Sequence, residues 1–346
     1  MTTTCFVCAS TPGFSTTTLL LLVGLSLTFD FLNGFHDAAN SIATVVSTGV
    51  LRPYQAVAWA AFFNLVAFAL FKLNVAATIG KGILVPEFVD AQVIGSALAG
   101  AIAWNLITWY SGIPSSSSHA LIGGMIGAGV AKAGSAPLVA SGILKTLVFI
   151  VLSPLLGLLL GASVMIAVSW IFFRRSPYTV DQWFRRLQLL SSALYSIGHG
   201  SNDAQKTMGL IWLMLISAGA TTREHLPIWV VASCYTVMAL GTLFGGWRIV
   251  RTMGQRITKL KPVGGFCAEA GGALTLFLAT ALGVPVSTTH TITGAIVGVG
   301  ATQRVSAVRW GVAGNIVVAW VLTLPAAALV AAVTWLLAAT PWRDGL

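Results

Sequence analysis

Long apolar segments set the limits on what this chain can fold into. The stretches 53–71, 226–247 and 311–337 each reach the roughly 20 apolar residues that a helix needs to cross a bilayer. Over the whole chain 56% of the 346 residues are hydrophobic and 8% are charged, against roughly a quarter charged in a soluble domain. A soluble protein of this composition would lack the polar residues to cover its surface. The sequence therefore predicts an all-α polytopic membrane protein.

Two motifs occur twice along the chain. Segment 112–123 reads GIPSSSSHALIG and segment 283–294 reads GVPVSTTHTITG, an offset of 171 residues. Segment 34–38 reads GFHDA and segment 200–204 reads GSNDA, an offset of 166 residues. Two unrelated motifs that recur in the same order, at nearly the same offset, indicate an internal duplication.

The distribution of positive charge predicts how the two halves are oriented. We assign 1–172 and 189–346 to two transmembrane repeats joined by a cytoplasmic basic linker at 173–188. With an odd number of crossings in each half, twelve of the 19 Lys and Arg residues and one acidic residue, Asp181, lie in inside segments. Short cytoplasmic loops collect Lys and Arg, so this bias favours inverted-topology repeats with both termini outside. The net charge of +10 then reports membrane orientation rather than nucleic-acid binding.

Glycine and proline residues interrupt the apolar segments at positions that repeat. Segment 17–51 is too long for one simple span and carries Gly34 near its middle, while 90–131 and 264–301 contain the Gly-x-Pro sequences. Non-helical backbone at membrane depth is tolerated only where it is buried in protein or lines a cavity. The sequence therefore predicts discontinuous helices and two re-entrant hairpins, with the breaks close to a functional site.

The hydroxyl residues after each Gly-x-Pro turn predict the start of a helix, with Ser115 or Val286 near the cap position. The first N–H groups of a helix have no intrahelical partner and carry the positive end of the helix dipole, so they bind anions without a formal charge. The alternative is that the hydroxyl groups only cap and pack two broken helices, but their pseudo-symmetric repetition favours an anion site. The candidate anion ligands are Ser115, Ser116, Ser117, Ser118, Ser287, Thr288 and Thr289.

Ionisable residues inside the apolar segments are concentrated in the repeated motifs. A charge at the bilayer centre costs about 2.5–3.5 kcal/mol on insertion scales. The clustering of these ionisable residues therefore indicates a functional site. The carboxylates of Asp37 and Asp203 beside an anion site require a companion cation, which is sodium, a proton or a metal bound to the anion. Asparagine oxygens are suited to completing the shell of a hard cation. The candidate cation-coupling residues are Asp37, Asn40, Asn202, Asp203, His36, His199, Asp30 and Glu269.

Three charged residues distinguish the two halves. Lys206 stands at the position that matches Asn40, and it either neutralises Asp203 or binds the anion, so we also count it among the candidate anion ligands. Asp30 and Glu269 have no acidic counterpart in the other half. They either carry the coupling ion or pair locally.

The membrane histidines are assigned two different roles. His36 and His199 flank the aspartates and are candidates for a proton relay, because histidine changes charge near neutral pH. His119 and His290 lie just inside the predicted helix starts, where we expect neutral hydrogen-bond donors.

The four motifs together resemble the inorganic phosphate transporter (PiT) family. Its signature is a Gly-x-Asn-Asp-x-Ala-Asn-like segment once in each half, followed by a Gly-x-Pro-x-Ser-x-x-His hairpin. Segments 34–40, 112–119, 200–206 and 283–290 match this signature in order and spacing. The resemblance implies an inverted-repeat fold, phosphate bound between the tips of two re-entrant hairpins, and a homodimer. It also implies that Asp37, Asn40, Asn202 and Asp203 serve the cation and phosphate, and that residues 116–118 and 287–289 hold phosphate.

The chain departs from the commoner family pattern at three positions. His36 and Lys206 replace asparagines of the signature, and Asn64 stands where sodium-coupled relatives often have Glu. These changes resemble the bacterial low-affinity branch, which is proton-driven and carries metal–phosphate complexes. The expectation is therefore a proton-coupled phosphate importer of the inner (plasma) membrane, with no cofactor apart from the coupling ion.

Other functions remain open as alternatives. Sodium coupling is the second choice, and another tetrahedral oxyanion such as sulfate is a related substrate. A passive anion channel would transport without being driven uphill by a cation gradient. An intramembrane hydrolase using Ser, His and Asp is disfavoured because a unique nucleophile does not duplicate symmetrically, so the chain is not expected to be an enzyme.

Overall fold

The computed structural model describes residues 15–70, 73–222 and 224–343. Over these residues the chain is helical, and the isolated antiparallel bridge is that between Leu84 and Leu138. The helices are α1 (Thr16–Ser47), α2 (Pro53–Val66), α3 (Asn74–Gly82), α4 (Ala91–Ser111), α5 (Ser117–Ala133), α6 (Ala140–Ile171), α7 (Pro177–Ser217), α8 (Ile228–Phe244), α9 (Trp247–Arg251), α10 (Pro262–Ala281), α11 (Thr288–Gln303) and α12 (Trp310–Arg343). A π-helical turn, Thr252–Arg256, follows α9.

Five of these helices, α1, α4, α6, α10 and α12, are long and apolar enough to cross a membrane. The count rises to seven if two bent pairs each form one span: α2 with α3, bent by 84°, and α8 with α9, bent by 62°. Apolar side chains on α6 and α12, such as Leu155 and Leu329, are exposed. The predicted all-α polytopic membrane class is confirmed.

The order of helices repeats, because each of α1 to α6 has a counterpart among α7 to α12. In each half a bent pair is followed by a helical hairpin (α4–α5 or α10–α11) and a long final helix. The final helix packs on the hairpin of the other half: α12 on α4 and α5, and α6 on α10 and α11. The inverted orientation, the re-entrant openings and the boundaries of the repeats stay predictions, and both chain ends lie outside the described residues. Residues 177–188 of the predicted linker form the first turns of α7.

The predicted break within segment 17–51 was wrong, since α1 runs unbroken through Gly34 and α7 runs unbroken through Gly200. The glycines instead allow two helices to cross closely. A Cβ atom on Gly34 would lie 2.2 Å from the carbonyl oxygen of Met238 in α8, and one on Gly200 would lie 2.6 Å from that of Asn64 in α2. The discontinuities lie at the two bent pairs and at the hairpin turns.

Two Gly-x-x-x-Gly pairs, Gly123 with Gly127 and Gly294 with Gly298, pack the second helix of each hairpin against a final helix. A Cβ atom on Gly127 would lie 2.0 Å from the carbonyl oxygen of Ala328 in α12. One on Gly294 would lie 2.1 Å from that of Pro154 in α6. Small residues at this spacing let membrane helices approach closely, and they bring the hairpins of one half onto the other half.

Replacing Gly127 or Gly294 by alanine is expected to destabilise the protein by about 1–3 kcal/mol, the usual cost of overpacking. The colliding atom is a backbone oxygen in each case, so relief requires a whole helix to move. The matched control is Gly314→Ala, because a Cβ there meets no atom within 4 Å. Thermal unfolding of the three variants in detergent measures the difference. Equal melting temperatures for all three would contradict the close packing.

Candidate functional site

The two hairpin turns end at serine residues that cap the following helices. Ser116 Oγ accepts a hydrogen bond from His119 N at 3.2 Å, and Ser287 Oγ accepts one from His290 N at 3.2 Å. The caps therefore lie one residue after Ser115 and Val286, the predicted positions. The reason is that an N-cap side chain bonds the amide three residues on, whereas Val286 has no side-chain acceptor and Ser115 donates to another partner.

The starts of α5 and α11 meet in the interior of the protein. The imidazole rings of His119 and His290 lie edge to face with centroids 4.7 Å apart. The capping serines take the N–H groups of His119 and His290, whereas those of the first two residues of each helix precede the first intrahelical bonds and are suited to an anion. The structure thus brings together the predicted anion ligands, all of them buried: Ser115, Ser116, Ser117, Ser118, Ser287, Thr288 and Thr289.

The two motif carboxylates lie between these helix starts. Ser117 Oγ donates to Asp37 Oδ2 at 2.7 Å, and Thr288 Oγ1 donates to Asp203 Oδ2 at 2.9 Å. Asp37, Asp203 and His199 each offer a ligand atom within 4.8 Å of the others. Two carboxylates at this spacing repel each other unless positive charge lies nearby. The residues predicted to bind a cation are therefore adjacent to those predicted to bind an anion.

Each half also holds the hairpin of the other half. Asn40 Nδ2 donates to Thr289 Oγ1 at 2.9 Å and to Thr288 Oγ1 at 3.2 Å. Lys206 Nζ, at the matching position, donates to Ser118 Oγ at 2.5 Å. A hydroxyl group has one proton to donate. Ser118 and Thr289 accept these bonds and donate none among the residues that the structure describes, so their own protons are available to a ligand. By contrast, Ser117 and Thr288 give theirs to carboxylates.

Lys206 is fully buried and forms two further bonds. Its Nζ donates to Asp203 Oδ1 at 2.5 Å and to the carbonyl oxygen of Val286 at 2.6 Å. With Ser118, these partners account for the three donors of an ammonium group. Of the two roles predicted for Lys206, the structure favours neutralisation of Asp203. Direct contact with the anion stays a prediction.

His36 connects Asp37 to a cavity. Its Nδ1 lies 2.7 Å from Asp37 Oδ1, and its Nε2 lies 3.1 Å from Thr108 Oγ1. Thr108, which also accepts a bond from Ser115 Oγ at 2.8 Å, lines a cavity of about 470 Å³. The cavity lies between the end of α4, the turn after it, α12 and the π-helical turn. Sequence reasoning missed Thr108; a polar residue one turn before Gly112 in an apolar helix was the available signal.

The two remaining motif residues stabilise their surroundings. Asn202 donates to the carbonyl oxygen of Val284 at 3.2 Å and accepts from Val286 N at 3.3 Å, so it holds the turn before α11. His199 Nδ1 lies 3.2 Å from Asn64 Oδ1. His199 Nε2 lies 3.2 Å from Asp203 Oδ2 but is not aligned for a hydrogen bond. Their predicted coupling roles are not tested by these contacts.

Asp30 and Glu269 form no hydrogen bond with Asp37 or Asp203 among the described residues. Asp30 Oδ1 accepts from Thr207 at 2.7 Å, while its buried Oδ2 has no partner among the described residues. Glu269 accepts from three side chains, and no hydrogen bond within the described parts of the chain joins it to Asp37 or Asp203. Its donors are Thr44 at 2.6 Å, Gln188 at 3.0 Å and Ser191 at 2.5 Å. Both acids accept hydrogen bonds from nearby side chains, and their predicted part in coupling stays a prediction.

Tyr195 is a further residue of the site that the sequence did not indicate. Its hydroxyl group donates to the carbonyl oxygen of Thr288 at 3.0 Å, and the side chain is fully buried. It lies on α7 one turn before His199, outside the repeated motif. An aromatic residue in an apolar helix carries no signal of such a contact. Tyr195 therefore fixes the backbone at the start of α11.

Comparisons with known proteins show what the whole chain is similar to. The model of the phosphate transporter family matches residues 33–331. A relative from Rhizobium meliloti (strain 1021), described as a "Probable low-affinity inorganic phosphate transporter", is 63% identical over 92% of this chain and 95% of its own length. A relative of the same description from Bacillus subtilis (strain 168) is 46% identical over 91% and 96%. A solved structure titled "The sodium-dependent phosphate transporter" matches 93% of this chain and 98% of its own at 27% identity and a TM-score of 0.82.

Proposed function

This chain belongs to the phosphate transporter family, and we propose that it imports inorganic phosphate together with protons. It is a polytopic membrane transporter of inorganic phosphate, not an enzyme. Family membership leaves three properties open: the coupling ion, the form in which phosphate is carried, and the orientation of the chain in the membrane. The proposal concerns these three.

The facing starts of α5 and α11 are the proposed phosphate site. Each offers free N–H groups, the positive end of a helix dipole and a hydroxyl proton from Ser118 or Thr289. These donors are neutral, so they bind phosphate without the strong hold of a buried arginine, and the anion can be released. Both halves contribute equally to such a site.

The single observation that carries proton coupling is the chain of contacts from Asp37 through His36 to Thr108 at the cavity wall. Imidazole and hydroxyl groups both donate and accept hydrogen bonds, so they can pass a proton along. The positions that match His36 and Thr108 in the second half are Asn202 and Ala279. Neither can relay a proton, so this route exists on one face of the site.

Sodium coupling is the second candidate, and a specific observation favours it. Ligand atoms of Asp37, His199 and Asp203 lie within 4.8 Å of one another, and Asn40 Oδ1 has no partner among the described residues. Oxygen-rich shells of this kind suit hard cations, including a divalent metal carried with phosphate as a metal–phosphate complex. Sulfate has the same tetrahedral shape as phosphate and is the alternative substrate.

We also propose that the protein lies in the plasma membrane as a homodimer, with both termini outside. The orientation rests on the basic segments 173–188, 248–262 and 302–310. The dimer rests on the resemblance to the family. Cysteine accessibility from either side of intact cells tests the orientation, and cross-linking in the native membrane tests the dimer.

Uptake of labelled phosphate into proteoliposomes tests the coupling. An inward pH gradient without sodium is expected to drive accumulation above equilibrium, and a protonophore is expected to collapse it. A sodium gradient at equal pH is expected to drive no phosphate accumulation. Excess sulfate is expected to inhibit phosphate uptake only weakly. Accumulation driven by sodium alone would contradict the proton proposal. Transport that only equilibrates phosphate would indicate a channel; protein-free liposomes are the control.

A further inference from the structure

We propose that the ammonium group of Lys206 is a built-in cation that occupies one of two pseudo-equivalent cation positions at the centre of the site. This half of the site then takes no alkali-metal ion, and one exchangeable cation suffices for the whole. The inference rests on the proposed function, because it concerns the coupling ion of the same site.

The surroundings of Lys206 Nζ are those of a bound cation. A carboxylate oxygen of Asp203, a hydroxyl oxygen of Ser118 and the carbonyl oxygen of Val286 lie 2.5, 2.5 and 2.6 Å away. Carboxylate, carbonyl and hydroxyl oxygens are the ligands that hard cations take in proteins. The side chain is 2% exposed and that of Asp203 is 0% exposed, so bulk water does not compete for these contacts.

The three oxygens come from different elements, which is typical of a cation that holds a site together. Asp203 lies on α7, Ser118 lies in the first turn of α5, and Val286 lies in the turn before α11. Lys206 thus joins both hairpins to the carboxylate of the second motif. A mobile cation in the same place would make the same three connections.

The matching position in the first half is built differently. Asn40 carries no charge, and its Nδ2 donates to Thr288 and Thr289. Asp37 contacts His36 and Ser117, and among the described residues it forms no ion pair with a lysine or arginine. The second carboxylate is therefore neutralised within the chain, while the first requires a cation from outside.

Replacing Lys206 by asparagine restores the residue type of the matching position and opens the oxygen shell. In sodium-free buffer, with choline as the cation, the variant is expected to bind inorganic phosphate about ten-fold more weakly than wild type, or worse, a loss of about 1.4 kcal/mol. Sodium is expected to restore its affinity. Wild-type affinity is expected to be equal in sodium and choline. Equilibrium binding of labelled phosphate to purified protein in detergent measures both.

The matched control is Lys132→Asn. Lys132 also pairs with an aspartate, Asp90 at 2.6 Å, but this pair is partly exposed and lies away from the hairpin starts. The Lys132→Asn variant is expected to have the phosphate affinity of wild type, and this affinity is expected not to depend on sodium. Lys206→Met, which fills the position without an oxygen atom, is expected to lose affinity that sodium does not restore. Melting temperatures establish which variants are folded.

Two results would overturn the proposal. One is wild-type phosphate affinity for Lys206→Asn in choline; the other is a folded Lys206→Asn that stays weak at every sodium concentration. If that variant does not fold, ²²Na⁺ binding to wild type with saturating phosphate decides: more than one ion per chain contradicts a filled position, and one or none supports it. If wild-type uptake proves sodium-driven, the proton proposal fails. The proposal for Lys206 is then tested separately, because it requires Lys206→Asn to bind one more sodium ion than wild type.

Discussion

Asp37→Asn is expected to abolish proton-driven accumulation of phosphate while phosphate–phosphate exchange continues. Asparagine keeps the size of the side chain and can still accept the bond from Ser117 Oγ. It cannot take up or release a proton, so the path through His36 would end at a group that does not titrate. A positioned proton-transfer group contributes about 10²–10⁴-fold to a rate, and we expect a loss of that order in gradient-driven uptake.

Two assays on the same proteoliposomes measure the effect of Asp37→Asn. Uptake under an imposed pH gradient should fall, and exchange of internal phosphate for labelled external phosphate should remain. Asp90→Asn is the control, because Asp90 caps α4 and pairs with Lys132 away from the site. Uphill uptake by Asp37→Asn at the wild-type rate would exclude Asp37 as the proton-binding group. Loss of exchange as well as uptake would assign Asp37 to phosphate binding instead.

The second large effect is expected for the double change Ser118→Ala and Thr289→Ala. Both hydroxyl groups accept a bond from a motif side chain and keep a proton for phosphate. A hydrogen bond to a charged group contributes about 1.5–3 kcal/mol, so losing two should weaken phosphate binding on the order of 100-fold or more. Binding of labelled phosphate in detergent measures the loss.

A second pair of hydroxyl groups makes this prediction specific. Ser117 and Thr288 donate to carboxylates, so removing them is expected to alter ion coupling more than phosphate affinity. The control is Ser169→Ala with Thr334→Ala, whose hydroxyl groups bond their own helices at 2.7 and 2.8 Å. Ser117→Ala with Thr288→Ala could instead weaken phosphate binding as much as Ser118→Ala with Thr289→Ala does. In that case the assignment of the Ser118 and Thr289 protons to phosphate would be wrong.

Many residues of the candidate site could be predicted from the sequence because their signals are local. Asp37, Asp203 and the hydroxyl residues are polar groups in apolar segments that occur twice, and neither feature depends on tertiary contacts. The cap positions were predicted one residue too early, since the choice between Ser115 and Ser116 depends on which side chain reaches an amide three residues on. Composition and motif order do not contain that geometry.

The role of the motif glycines was inferred wrongly for a related reason. Gly34 was interpreted as a break, but it allows close contact with a helix far along the chain, at Met238, and Gly200 does the same at Asn64. A glycine in a helical pattern indicates either a break or a close approach. Only the position of the neighbouring helix distinguishes the two.

By itself, the sequence identified a helical membrane protein with two repeated motifs, and it predicted paired anion and cation sites, because hydrophobic length, repetition and charged residues in apolar segments are local features of the sequence. Only the tertiary structure decided which groups meet: Asn40 with Thr289, Lys206 with Ser118, and His36 with Thr108. These contacts join residues separated by long stretches of chain, and packing of α1 and α7 against the hairpins creates them. The asymmetry of the centre follows, with a lysine facing one aspartate and a histidine facing the other.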